Sequence, residues 1–276
     1  RNKEIQAFVS NPPTPVTATA RRATFCLFVF IMPFPRIIPS QAALIMIDFQ
    51  RDFCDPGGYA DQAFGESSSS SSSEQEWVES IIPTAAKLLQ GARQMNDKNN
   101  NTGGVRLILH TREGYAADLS DVGPVKQRRS QAAGAPIGQP GPLGRFLIRG
   151  EAGHFHIDRL APQEGEVILD KCTYGTFAST DIHERLQRAG VTQLILAGVT
   201  ADVCVHTTLR EAVDRGYECF YCKDAISTPD ETIRKACELM VEHEGGIWGW
   251  LVTVDEVLQS LNENGARDDT TTDSDC

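Results

Sequence analysis

Cys204 lies at a boundary in the sequence where a cysteine can act as a nucleophile. The apolar run of residues 194–199 before it predicts a buried strand, and residues 205–215 after it predict a helix with one apolar face. Unpaired backbone amides in the first turn of a helix favour negative charge. We therefore expect a lowered pKa for this thiol, so that the attacking thiolate is available. The alternative interpretation is a small buried side chain, since free cysteine is often buried.

Two charged residues follow other strand-like runs. Asp48 ends the apolar run 42–48, which is typical of a central parallel strand buried on both faces, and Lys171 follows the run 167–170. Ligands bind at the carboxyl ends of parallel strands, so we expect Asp48, Lys171 and Cys204 to meet at one edge of a sheet. The alternatives are a surface acid for Asp48 and an exposed, ion-paired lysine for Lys171.

Each of these residues supplies a group that thiol chemistry requires. Asp48 can accept the thiol proton and later protonate a leaving amine, while Lys171 places positive charge beside the thiolate and the carboxylate. Backbone amides at Thr200 and Cys204 are candidates for an oxyanion hole that stabilises a tetrahedral intermediate. The residues together predict acyl transfer through a covalent thioester.

Strand-like and helical patterns alternate along the chain. The strand-like runs are residues 42–48, 105–110, 167–170, 194–199, 217–222 and 249–254, and the helical patterns are residues 77–94, 179–189, 205–215, 232–243 and 254–261. This alternation predicts an α/β fold, a Rossmann-like three-layer sandwich with a central, mostly parallel sheet and helices on both faces. Residues 114–165 are rich in glycine and proline and predict a long irregular segment that serves function or an interface.

The flanking segments predict one domain with extensions. Residues 1–34 form an N-terminal extension that we interpret as a signal peptide, a transit peptide, or a segment outside the functional protein, which would then begin near Met32. The domain spans residues 35–262, with seven serines at 67–73 as a flexible insertion. Residues 263–276 carry five acids against one arginine and predict a disordered acidic tail.

Composition excludes several classes of partner and cofactor. The chain has 276 residues and a net charge of −11, which argues against nucleic-acid or membrane partners. Its eight cysteines have no framework spacing, so we expect reduced thiols and a cytoplasmic location. Cys219 and Cys222 have CxxC spacing, but a strand would direct them to opposite faces. His154 and His156 lack an evident third ligand, so no metal or other cofactor is predicted.

Seven short motifs carry a resemblance to a known family. They are IDFQRDF (47–53), HTREG (110–114), DLSD (118–121), GPLGR (141–145), IRGE (148–151), DK (170–171) and GVTADVCV (198–205). On these motifs the chain resembles the isochorismatase-like cysteine hydrolases. The resemblance implies a catalytic triad of Asp48, Lys171 and Cys204, and a cis peptide before Thr200 that directs the amides of the oxyanion hole. It also implies a small-molecule substrate and a homo-oligomer, with no cofactor.

Within the family, the second, fourth and fifth motifs are most similar to the branch that cleaves ureides, the biuret hydrolases and ureidoacrylate amidohydrolases. Glu244 stands where biuret hydrolases hold their substrate with a glutamine, which favours a cationic or donor-rich ureide unless Glu244 is an outward helix-end residue. Phe53 and Trp248 are candidate pocket walls, or else core residues. The nicotinamidase branch is not expected, because its metal-binding aspartate and histidines have no match here.

We therefore expect a hydrolase that cleaves a C–N bond of a small linear amide or ureide through a Cys204 thioester. Hydrolysis of isochorismate, a vinyl ether, does not require the cysteine and is less favoured. Two alternatives remain open. One is a family member that hydrolyses another small metabolite, and the other is a non-catalytic relative that uses Cys204 as a sensor thiol.

Overall fold

A computed structural model describes residues 34–64, 76–98 and 104–268. The predictions for residues 1–33, for the serine run 67–73 and for residues 269–276 lie outside the described residues. Within the described part of the chain, no helix is both long enough and apolar enough to cross a membrane.

Parallel strands form the centre of the described fold. The strands are β1 (Ala42–Ile47), β2 (Leu107–Glu113), β3 (Pro140–Gly141), β4 (Gly144–Arg145), β5 (Val167–Lys171), β6 (Gln193–Val199), β7 (Glu218–Ser227) and β8 (Trp250–Val252). Six of them make one sheet in the order β5-β2-β1-β6-β7-β8, and every neighbouring pair is parallel. The short β3 and β4 pair antiparallel as a separate hairpin. The predicted α/β fold with a central parallel sheet is confirmed.

Helices surround this sheet. They are α1 (Arg51–Cys54), α2 (Tyr59–Phe64), α3 (Glu76–Glu79), α4 (Ile82–Lys98), α5 (Pro124–Ala132), α6 (Ile182–Arg188), α7 (His206–Val213), α8 (Glu231–Glu242) and α9 (Val254–Asp268). Apolar side chains of α6, α7 and α8 share one core cluster with Ala43, Ile45 and Ile47 of β1, whereas α4 and α9 contact each other and β7. Every position of β1 is buried, as its unbroken apolar run predicts.

The segment between β2 and β5 contains more regular structure than predicted, although most of its residues lie outside helices and strands, as predicted. It includes α5, the β3–β4 hairpin and two 3-10 turns, Ala152–His154 and Asp158–Leu160. Pro124 starts α5 in the first turn, where proline is favoured, and Ser130 is its one buried residue. A helix without an apolar stripe leaves no periodic pattern to recognise.

Other element ends also differ from the predictions, among them those of α6, β7 and α9. Helix α6 begins at Ile182 rather than 179, because the Thr180 hydroxyl donates to the Thr176 carbonyl at 2.6 Å and accepts from the Ile182 amide at 3.3 Å, forming a turn first. Strand β7 continues past residue 222 to Ser227, where it pairs with the end of β6 after a shift in register. Helix α9 continues to Asp268 and includes the start of the predicted tail.

A cluster of buried histidines lies beside the sheet. Nε2 of His110, in β2, is 2.8 Å from a carboxylate oxygen of Glu166. The His110 ring packs edge-on against His156, with ring centroids 5.4 Å apart. Burial lowers the pKa of His156 to about 3 and that of His154 to about 4, and neighbouring positive charge adds to both shifts. Both rings are therefore neutral in the folded protein at neutral pH.

Replacing His156 with glutamine should make the fold less sensitive to acid. A histidine whose pKa is lowered by folding contributes its full stability above the unfolded pKa of about 6.5, and this contribution is lost as the pH falls toward 3. Urea denaturation between pH 6.5 and 4.5 should show that His156→Gln loses about 1 kcal/mol less unfolding free energy per pH unit than the native protein. His243→Gln changes an exposed histidine and is the control. An identical acid response in all three proteins would contradict this account.

Candidate active site

The structure brings Asp48, Lys171 and Cys204 together at the carboxyl edge of the sheet. Asp48 follows β1, Lys171 ends β5, and Cys204 lies in the π-helical turn Ala201–Val205 after β6. The Lys171 Nζ atom is 2.8 Å from Asp48 Oδ2 and 3.6 Å from the Cys204 sulfur. All three side chains are buried. The charges of this cluster therefore interact away from bulk water, where electrostatic interactions are stronger.

Asp48 is oriented by its backbone and by Thr111 of β2. Its φ is 54°, in the left-handed region that few non-glycine residues adopt, and its amide donates to the Thr111 carbonyl at 3.2 Å. The Thr111 hydroxyl donates to Asp48 Oδ1 at 2.6 Å, while Oδ2 faces the Lys171 ammonium. Both carboxylate oxygens have a partner, and the carboxylate is held in one orientation.

Glu113 is a fourth member of this cluster that the sequence analysis did not assign to the site. It ends β2, and its Oε2 atom is 3.8 Å from the Cys204 sulfur and 4.0 Å from Lys171 Nζ. Its Oε1 atom accepts from the Tyr115 hydroxyl at 2.8 Å and pairs with Lys126 at 2.8 Å. The HTREG motif contains Glu113, but the strand predicted over residues 105–110 stops short of it, so the argument that places Lys171 at the sheet edge misses Glu113.

The predicted lowering of the thiol pKa is wrong. Burial raises the pKa of Cys204 well above its usual value; the charge of Lys171 lowers it, but the carboxylates of Asp48 and Glu113 raise it further. A thiolate would add a third negative charge to the two carboxylates around the Lys171 ammonium. The thiol therefore keeps its proton at neutral pH.

The basic and acidic partners of the thiol are both held in their charged forms. Burial by itself lowers the pKa of Lys171, but the negative charges around it, Asp48 first, raise the pKa overall. Burial by itself raises the pKa of Glu113, but Lys126 and Lys171 lower it below the usual value. The cluster is thus built from opposite charges that stabilise one another.

The centre of the cluster is occupied by the Lys171 ammonium. Among the described residues, Asp48, Glu113 and Cys204 form the one group of metal-ligand types whose donor atoms lie within 4.8 Å of one another. Lys171 Nζ contacts a donor atom of each of these three residues. The position that a cation would share among them is therefore taken by the lysine.

A cavity of about 320 Å³ adjoins the thiol. Its lining combines residues next to the sulfur, aromatic side chains and cations of α5, including Cys204, Thr200, Phe53, Tyr174, Lys126 and Arg129. This volume lies at the small end of the range for ligand sites. The peptide between Val199 and Thr200 is cis, which the resemblance implies.

The predicted substrate-binding residues are not all brought to this cavity. Phe53 lines it and packs edge-on against Tyr59, with ring centroids 5.9 Å apart. Glu244 belongs to the 3-10 turn His243–Gly245, and its side chain lies outside what the structure describes.

Trp248 lines a different cavity, so the prediction that it is a wall of the substrate pocket is wrong. Its ring packs under the Arg210 guanidinium at 4.3 Å. The physical reason is the direction of β8. Trp248 precedes this parallel strand and therefore lies at the amino edge of the sheet, opposite the edge that carries Cys204.

A parallel sheet with a buried thiol at its carboxyl edge is typical of the cysteine hydrolases that the motifs resemble. The chain belongs to the isochorismatase family, whose domain model matches residues 42–248. It is 26% identical over 243 residues to the ureidoacrylate amidohydrolase RutB of Variovorax paradoxus (strain S110), covering 83% of this chain and 88% of that protein. The family resemblance seen in the motifs is confirmed.

Solved structures share the fold. A cysteine hydrolase from Pseudomonas syringae pv. phaseolicola 1448A superposes with a TM-score of 0.62 at 23% identity, covering 84% of this chain and 100% of that chain. The nicotinamidase PncA from Bacillus subtilis gives a TM-score of 0.57 at 20% identity, covering 77% of this chain and 99% of that chain. At these identities the likeness is one of fold.

Replacing Glu113 with glutamine should make Cys204 react with iodoacetamide at lower pH. The charge of Glu113 raises the thiol pKa, so its removal should shift the pH profile of alkylation downward, as measured by mass spectrometry of the Cys204 peptide. Glu164→Gln removes an exposed carboxylate and should leave the profile unchanged. A Glu113→Gln profile that stays in place or moves to higher pH would overturn the assigned contact.

Proposed function

We propose that this protein is a cysteine amidohydrolase that cleaves a C–N bond of a small linear amide or ureide through a thioester. The observation that carries the proposal is the buried Cys204 thiol, which contacts Lys171 and a carboxylate beside a cavity of about 320 Å³. A thiol with a basic residue and an acid in reach has the parts that covalent catalysis requires.

The first half of the reaction forms the covalent intermediate. As the Cys204 sulfur attacks the carbonyl carbon, its proton moves to a carboxylate, for which Asp48 is the proposed carrier and Glu113 lies in reach of the sulfur. The carbonyl electron pair moves onto oxygen, which the amides of Thr200 and Cys204 receive. The proton then passes to the leaving nitrogen, the C–N bond breaks, and ammonia or an amine departs.

The second half restores the thiol. Water attacks the thioester, or the thiocarbamate that a ureide would form, and gives its proton to the carboxylate. When the C–S bond breaks, that proton returns to sulfur and the product leaves as a carboxylic or carbamic acid, which loses its remaining acidic proton to solvent. Lys171 stays protonated throughout and stabilises the anionic sulfur as it departs. This sequence needs no co-reactant other than water.

Two findings support a ureide in particular. The curated relative is named a ureidoacrylate amidohydrolase, and the HTREG, GPLGR and IRGE motifs resemble the ureide-cleaving branch. The same fold also occurs in a nicotinamidase, so hydrolysis of another small amide is the alternative. The cytoplasmic location and the homo-oligomer stay predictions.

Ammonia release from biuret, ureidoacrylate, N-carbamoyl compounds and nicotinamide tests the proposal. We expect the native protein to release ammonia from a linear ureide or amide, and Cys204→Ser to lose about a thousandfold or more of that activity because its nucleophile is gone. Cys172→Ser alters a half-buried thiol and should retain activity. Near-native turnover by Cys204→Ser would refute the covalent mechanism.

Protection of the thiol separates catalysis from the sensor alternative. A substrate that reaches Cys204 should slow its alkylation by iodoacetamide in proportion to occupancy, and acid quenching should trap an acyl group on the Cys204 peptide. Rapid oxidation of Cys204 by peroxide, with no acyl adduct from any compound in the panel, would favour the sensor thiol instead.

A further inference from the structure

Strand β2 continues past the end of its neighbour β1. The last paired residues of these two strands are Ile47 and Thr111, whereas β2 ends at Glu113. Asp48, directly after β1, has a φ of 54°, and this left-handed backbone turns the chain away from the strand direction. The backbone of Glu113 therefore lies beyond the reach of β1.

The side chain of Gln50 hydrogen-bonds this strand end where β1 does not. Its Nε2 atom donates to the Glu113 carbonyl at 3.0 Å, and its Oε1 atom accepts from the Glu113 amide at 2.7 Å. A primary amide carries both a donor and an acceptor, as a peptide group does. Gln50 is fully buried, so solvent does not compete for these bonds. On the β5 side the next amide, that of Gly114, donates to the Lys171 carbonyl at 2.9 Å.

The backbone of Gln50 is itself anchored by a distant part of the chain. Gln50 pairs with His156 in an isolated antiparallel bridge, and the amide of Arg51 donates to the Phe155 carbonyl at 2.8 Å. The side chain of Gln50 therefore extends from a fixed backbone. The end of β2 is held between this side chain and β5.

The position of this strand end determines where the Glu113 carboxylate lies. Its Oε2 atom is 3.8 Å from the Cys204 sulfur and 4.0 Å from Lys171 Nζ. The electrostatic interaction between two charges depends on their separation and is strong in a buried site. A displacement of about 1 Å is enough to disturb a catalytic arrangement. The backbone of Glu113 must therefore be fixed if its charge is to act on the sulfur in a defined way.

We propose that Gln50 is a positioning residue of this site, whose side-chain amide fixes the end of β2 and thereby holds the Glu113 carboxylate beside Cys204 and Lys171. Gln50 belongs to the IDFQRDF motif, residues 47–53. This inference rests on the proposed function only in its effect on turnover. The position of the carboxylate can be tested without any substrate.

Alkylation of Cys204 reports the position of the Glu113 carboxylate. Gln50→Met replaces the amide with an apolar side chain of similar length, so the Glu113 backbone loses both hydrogen bonds. We expect the pH profile of iodoacetamide alkylation to move to lower pH, in the same direction as for Glu113→Gln. Adding Gln50→Met to Glu113→Gln should produce no further shift, because no carboxylate remains to be displaced.

Gln193→Met is the matched control. Gln193 is a buried glutamine at the amino edge of the sheet, where its Nε2 atom donates to the Arg36 carbonyl at 2.9 Å and its Oε1 atom accepts from the Ile38 amide at 2.6 Å. Its replacement should lower the free energy of unfolding in urea but leave the alkylation profile in place. An equal shift in Gln193→Met and Gln50→Met would show that lost stability moves the profile, and would overturn the proposal.

Gln50→Asn provides a second variant if Gln50→Met does not fold. It keeps a primary amide, but its side chain is one methylene shorter and does not reach the Glu113 backbone. We expect the same downward shift of the alkylation profile. The positioning role is wrong if the folded variant keeps the native profile, or if it adds an equal shift to Glu113→Gln.

Turnover separates this inference from the proposed function. On any compound that releases ammonia, Gln50→Met should lose about 10- to 100-fold in kcat with little change in KM, while Gln193→Met keeps the native kcat. If no compound is hydrolysed but the alkylation profiles shift as expected, the proposed function fails and the positioning role stands. If hydrolysis is observed and Gln50→Met keeps the native kcat and profile, the function stands and the positioning role is refuted.

Discussion

The buried ammonium of Lys171 is the interaction on which the site depends. An isolated ammonium in a protein interior costs several kcal/mol, so it requires compensating negative charge close by. Lys171 ends β5 and Asp48 follows β1, with β2 between these strands; neighbouring strands are about 5 Å apart, so the pair spans a gap of about 10 Å. A long side chain is needed to cross it, and it passes the end of β2 that carries Glu113. The lysine therefore determines which charges can surround the sulfur.

The positions of Asp48, Lys171 and Cys204 could be predicted because they follow from topology. Each ends or follows an apolar run, and parallel strands bring their carboxyl ends to one edge. The same rule explains the error at Trp248, which precedes its strand and so lies at the opposite edge. Glu113 was missed because the predicted strand stops at residue 110, three residues before the observed end of β2.

Other features of the site could not be predicted, because they depend on burial and on contacts in three dimensions that no local sequence pattern shows. The pKa of Cys204 reflects its burial and the sum of three neighbouring charges, whereas its position in the chain suggested only the influence of a helix terminus. Helix α5 has one buried residue and no apolar stripe, so its existence became visible only in three dimensions. In both cases the decisive partners are distant in sequence: Lys126, on α5, contacts Glu113 at the end of β2.

The path of the chain between β2 and β5 has an evolutionary consequence. These strands are neighbours in the sheet, yet the long segment that connects them contains α5 and the β3–β4 hairpin. Asp48, Lys171 and Cys204 lie at or just after the ends of strands, while Lys126 and Arg129 belong to this segment between β2 and β5. Lys126 pairs with Glu113, so a mutation there also changes the surroundings of the sulfur, whereas positions of this segment without such a pair can change the lining of the cavity alone. A lineage with this architecture can acquire new substrates by varying one contiguous stretch of its gene.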